Sequence, residues 1–141
     1  MILKIHPKRI KTTMDQAVLE QVCTQDYLDT LLPKEISDQF FEALYGDTTD
    51  GTYDIRLEFI SANEQRIILA FNLTKRPGKC MVCSLTYGLP NVFSRHPLIN
   101  IKGMVKKMEE KGIIIKSWRL GDTEENTPSL HVIPFFLYME E

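Results

Sequence analysis

Residues 53–87 constrain the fold more than any other stretch of the chain. Tyr53, Ile55, Leu57 and Phe59 alternate with Asp54, Arg56 and Glu58, the period-2 signature of a strand with one buried face. A polar turn around SANEQ leads to RIILAFNLT, where Ile67, Leu69, Phe71 and Leu73 fall on one side. In KRPGK, Pro77 and Gly78 suit the central pair of a type II turn. CMVCSLTY, residues 80–87, then reads as a third strand. Three strands joined by short turns predict an antiparallel meander.

Helical patterns flank this unit. Thr13 and Gln16 have capping-box spacing before a helix whose apolar side is Ala17, Val18 and Val22. QDYLDTLLP continues or restarts that helix until Pro33 intervenes. In KEISDQFFEALYGD, Ile36, Phe40 and Leu44 recur at helical spacing and Phe41 and Tyr45 widen the stripe. Gly46 stands where a C-terminal cap belongs. A further helix is expected from Pro97 to Gly112, burying Leu98, Ile101, Val105 and Met108 and leaving Lys102, Lys106, Glu109 and Glu110 in solvent.

IIIKSWRLG follows as a strand in which Trp118 packs in or beside the core, and the acidic DTEENTPS as a mobile loop. The final strand, LHVIPFFLYM, is apolar on both sides. His131 within it is read as a core-edge residue, and Pro134 argues for an edge position or a bulge. The expected fold is a single α+β domain over residues 1–141, with a short basic arm at 1–12. N-terminal helices precede a β-β-β-α-β-β five-stranded antiparallel sheet with helices on one face.

Composition narrows the classes of function. A hydrophobic fraction of 43% with 26% charged residues is that of a chain with a real core. A net charge of -2 lacks the basic footprint of a nucleic-acid binder. No apolar run is long enough to span a bilayer, and MILKIHPKRIKTT lacks the features of a signal peptide. Three cysteines without framework spacing fit a reducing cytoplasm. The phosphate-cradle, dinucleotide, nucleophile-elbow and HExxH zinc motifs are all absent from the sequence.

Two groups of residues could carry chemistry. Cys80 and Cys83 could hold a metal or act as a redox pair, but structural zinc needs four ligands, and Cys23, His6, His96 and His131 are widely scattered. If both cysteines lie in a strand, their side chains point to opposite faces; they converge only if Cys80 belongs to the turn. Lys75, Arg76 and Lys79 would lower the Cys80 thiol pKa, and His96 is the nearest base for nucleophilic catalysis. Buried structural cysteine is the favoured reading. The second group is Ser94, Arg95 and His96, expected at the mouth of the helix starting near Pro97. With Arg76 and Lys79 they would make an anion site. Simple capping is the favoured alternative.

The run RPGKC-x-x-C-x-LTYGLP-x-VF-x-RHP resembles a group of small bacterial proteins with no assigned function. The likeness extends from about FFEALYGD through SWRLG to LHVIPFFLY, and it implies no catalytic residues. A homeobox label sometimes given to that group does not fit these residues. A homeodomain needs a recognition helix built around Trp-Phe-x-Asn, whereas Trp118 lies in an expected strand and precedes Arg119. The element order also looks like that of the small acidic chaperones of type III secretion. Those add a C-terminal helix at their dimer interface, where the last element here is a strand.

The resulting expectation is a cytoplasmic, non-enzymatic binding or adaptor domain that works through a sheet face or edge and needs no cofactor. Its partners would be another protein, a second copy of itself or a small anionic ligand, with neither nucleic acid nor membrane involved. The alternative is a small Cys-dependent enzyme or a metal or redox site at Cys80, Cys83 and His96.

Overall fold

Alternating burial makes Tyr53–Ala62 (β1) and Arg66–Lys75 (β2) an antiparallel hairpin, in a computed structural model that describes residues 16–45, 53–79 and 86–139. Asn63 closes the turn, its side-chain oxygen accepting from the N–H groups of Gln65 and Arg66. Near its end β1 carries a bulge between Phe59 and Ser61, which leaves Ile60 without a register partner and 56% exposed. The turn after β2 forms as expected. Lys79 N–H donates to Arg76 C=O, and Gly78 has φ 76°, the value a type II turn needs.

Among the described residues three helices precede the hairpin: Gln16–Val22 (α1), Gln25–Leu31 (α2) and Glu35–Tyr45 (α3). QDYLDTLLP therefore restarts the helix rather than continuing it. The Thr24 hydroxyl accepts from Tyr27 N–H and caps the new N-terminus. Thr13, Gly46, Cys80 and Cys83 lie outside the described residues.

Leu89–Phe93 (α4) and Ile101–Glu110 (α5) come between the hairpin and three short or late strands, Ser117–Leu120 (β3), Glu124–Thr127 (β4) and Leu130–Tyr138 (β5). The sheet is five-stranded and antiparallel, in the order β1-β2-β5-β3, with β4 also pairing β5. The α+β class and the strand number agree with the pattern; the identity and order of the strands do not. Of the described end of the expected third strand, Thr86 is helical and Tyr87 lies in the turn before α4, and the expected acidic loop supplies β4.

Pro134 corrects a second expectation. β5 is the centre of the sheet, paired with β2 along one side and with β3 and β4 along the other. The Pro134 C=O accepts from Gly121 N–H, so its missing N–H points to the same side. Gly121 lies in the gap between Leu120 of β3 and Glu124 of β4. The break between those two short strands thus falls where β5 lacks a donor, and the proline costs no ladder bond.

One core fills the space between this sheet and the helices. Ile55 and Leu57 of β1, Ile67, Leu69, Phe71 and Leu73 of β2, and Ile133, Phe135 and Leu137 of β5 all face it. They meet Leu19, Leu28, Phe40, Phe41, Phe93, Met104 and Met108 from the five helices, so the helices share one face of the sheet. Phe71 sits between Phe93 and Phe135, at ring centroid distances of 5.3 and 5.4 Å. Trp118 packs edge-on against Phe135 as expected, and His131 is fully buried.

Candidate functional site

The other face of the sheet carries no helix among the described residues. Its side chains are the alternate ones: Arg56 and Glu58 of β1, Arg66, Ile68, Ala70 and Asn72 of β2, Val132, Pro134, Phe136 and Tyr138 of β5, and Arg119 of β3. Ile68, Val132, Pro134, Phe136 and Tyr138 remain partly accessible there. β5 therefore reads as apolar on both sides because one side is core and the other is the middle of this outer face.

One corner of the face is organised around Phe136. The Arg119 guanidinium carbon lies 4.2 Å from the Phe136 ring centroid, and that of Arg66 lies 5.9 Å from it. Arg119 Nε–H donates to the Tyr138 hydroxyl at 3.1 Å, and the Phe136 and Tyr138 rings stack at 6.4 Å with 16° between their planes. Register explains the cluster: Arg119 pairs with Phe136 and Arg66 with Tyr138. Among the described residues neither arginine has a carboxylate within 4 Å. Arg119 is held by its ring contact and its Nε, and among the described residues its terminal nitrogens have no partner, so they can grip an anion.

The sheet edges offer less. The free side of β1 is closed by helix side chains: Ser37 Oγ accepts from Ile55 N–H at 2.8 Å, and Gln25 Nε2 donates to Leu57 C=O at 2.8 Å. A cleft of about 320 Å³ lies alongside, lined by Asp29, Leu32, Lys34, Ser37, Asp54, Ile55 and Arg56. Both of its carboxylates are already paired. Arg56 pairs with Asp29 at 3.2 Å, and the Arg56 hydrogen bond, then that of Gln25, lowers the Asp29 pKa. Asp54 pairs with Arg76 at 3.0 Å.

The residues of the expected anion set do not stand at a helix mouth. Arg76 holds Asp38 at 2.8 Å as well as Asp54, with its guanidinium over the Phe41 ring, so it is neutralised within the chain. Lys79 is exposed at the end of its turn. Ser94, Arg95 and His96 follow the C-terminal end of α4 instead of opening a helix, and the next helix starts at Ile101. Asn100 sets that start, adopting the left-handed region at φ 51° and capping Gly103 N–H with its side chain. Ser94 Oγ and Arg95 Nε both donate to Asn91 C=O, and His96 Nδ1 accepts from Leu98 N–H beside the Phe40 ring. Carbonyls rather than free N–H groups surround residues 94 and 95, an environment that suits cations.

A buried polar chain ties the α4 approach to the sheet. Thr86 Oγ1 and His131 Nδ1 are 2.7 Å apart, and Thr123 Oγ1 donates to Thr86 C=O at 2.7 Å. Among the described residues His131 Nε2 has no partner. Cys23 is buried at the end of α1, and desolvation raises its thiol pKa to about 11, away from nucleophilic use. Among the described residues no helix is long and apolar enough to cross a membrane.

No protein-family model, no curated protein and no solved structure matches this chain. The sequence reading missed the Arg66–Arg119–Phe136–Tyr138 cluster. Its one signal was the two-sided apolarity of residues 130–139; the pairing of Arg119 with Phe136 depends on a register that no local pattern encodes.

Proposed function

We propose that this chain is a protein-binding domain that works through the outer face of its sheet. The observation that supports it is the pair of arginines around Phe136 that meet no carboxylate among the described residues, bordering the apolar strip Ile68, Pro134 and Val132. Aromatic and arginine side chains are enriched in protein interfaces, and an apolar strip with a charged margin is the layout of an interface core and rim. The capped β1 edge favours the face over strand addition.

Site-specific photo-crosslinking tests this reading. A crosslinking amino acid at Ser117, exposed on the outer face beside Tyr138, is expected to capture a protein in cells. The same group at Lys107, exposed on α5, is expected to capture none. Capture from position 107 with none from 117 would reverse the assignment.

A further inference from the structure

Resting on that reading of the outer face, we infer that its occupant is a second copy of this chain, packed face to face about a two-fold axis that passes over β5 at Pro134. The arrangement of charge along the sheet leads to this. Arg119 stands beside Phe136, and Glu124 stands beside Val132, on the same side of β5. Phe136 and Val132 lie two residues either side of Pro134. A two-fold axis that runs between the two faces, parallel to the sheet and perpendicular to the strands above Pro134, therefore exchanges the two ends of this strip. Arg119 of each copy then meets Glu124 of the other, and the contact is made twice, as an isologous interface requires.

Neither group is matched among the described residues of its own chain. Among the described residues Arg119 has no carboxylate within 4 Å, and Glu124, fully on the surface, has no cation within 4 Å. Arg119 is prepared for the contact: Phe136 and Tyr138 hold its plane and its Nε, and the outward pair of nitrogens matches a carboxylate. Between the charged ends the strip is apolar, formed by Val132, Pro134 and Phe136 with Ile68 and Ala70 alongside. Gly121 keeps the centre low, since a Cβ there would come within 3.2 Å of both Phe136 and Pro134. Glu58 sits on β1, two strands away, where the twist of stacked sheets opens the faces. A nucleic-acid strand fits less well, because leaving the arginines it would run into Glu124 and Glu58.

Light scattering and sedimentation of the full chain test the inference at low and high salt. The expected result is a dimer that salt weakens and that Arg119→Glu or Glu124→Arg weakens by about tenfold or more. The double exchange R119E/E124R is expected to recover most of the loss, and circular dichroism of each variant verifies its fold. Arg119→Lys, which keeps the charge but not the fork, should fall in between. A monomer at every concentration overturns the inference, as does a dimer indifferent to both reversals or a double exchange no better than the singles. A monomer that still crosslinks another protein from Ser117 overturns the second copy alone and leaves the outer-face reading standing.

Discussion

Ile55 and Ser37, 18 residues apart, are joined by a buried 2.8 Å hydrogen bond from the strand N–H to the helix hydroxyl. Both residues are almost fully buried, so this donor has no water to fall back on. The expected cost of Ser37→Ala is about 1–3 kcal/mol, the range for orphaning a buried amide. Urea unfolding reads it as a lower midpoint with an unchanged slope. An unchanged midpoint would mean that Ile55 finds another partner.

The Thr86–His131 contact should behave as a coupled pair. Either Thr86→Val or His131→Leu alone leaves the other polar group without this bond, whereas the double variant removes both ends. We expect the two single losses to exceed the double loss by about 1–2 kcal/mol in a double-mutant cycle. Strict additivity would show that the 2.7 Å contact contributes nothing.

Cys23 predicts an alkaline instability. Its pKa is raised to about 11 by burial, against 9.0 for a free thiol. Below pH 9 the thiol is neutral in both states and its full contribution is present. Between pH 9 and about 11 the unfolded chain gives up the proton and the folded one does not, so stability falls as pH rises. The expected fall is of order 2–3 kcal/mol. Cys23→Ala should flatten that part of the pH profile of the thermal midpoint. An equal slope in the variant would move the cause elsewhere.

Asn100 and Gly103 should show a change of sign. A Cβ at Gly103 would fall 2.3 Å from the Asn100 amide nitrogen, so Gly103→Ala must displace the cap. In the native background it is expected to cost about 1 kcal/mol, comparable with Asn100→Ala. In an Asn100→Ala background the obstruction is gone, and the same Gly103→Ala should stabilise α5 by about 0.5–1 kcal/mol through helix propensity. Thermal unfolding of the four proteins decides it.

These contacts show where sequence reasoning succeeds. The stripe at Phe40 and Phe41, the alternation of β1 and β2, and the turn at Pro77-Gly78 are local patterns, and each was legible. Residues 117–127 were not. A four-residue strand carries almost no periodicity, and β3 and β4 exist because β5 offers them an edge. Pro134 misled for a related reason: the rule that keeps proline out of central strands concerns a missing donor, and the gap at Gly121 removes the need for one. The expected helix start was misplaced by a few residues, since Asn100 rather than Pro97 sets it. The outer-face cluster joins residues 66, 119, 136 and 138, which only the assembled register brings together.

The place of β5 also bears on how the chain is made. β2, β3 and β4 all depend on it, yet it is the last of these strands to leave the ribosome. Until residues 130–138 emerge, the β1–β2 hairpin has its helices on one face but no neighbour for β2, whose Ile67, Leu69, Phe71 and Leu73 would lack Ile133, Phe135 and Leu137. The pairing of β2 with β5 joins residues far apart in sequence, a contact that slows folding. A nascent chain stalled before Leu130 would present the open flank of β2 to chaperones, or to another nascent copy.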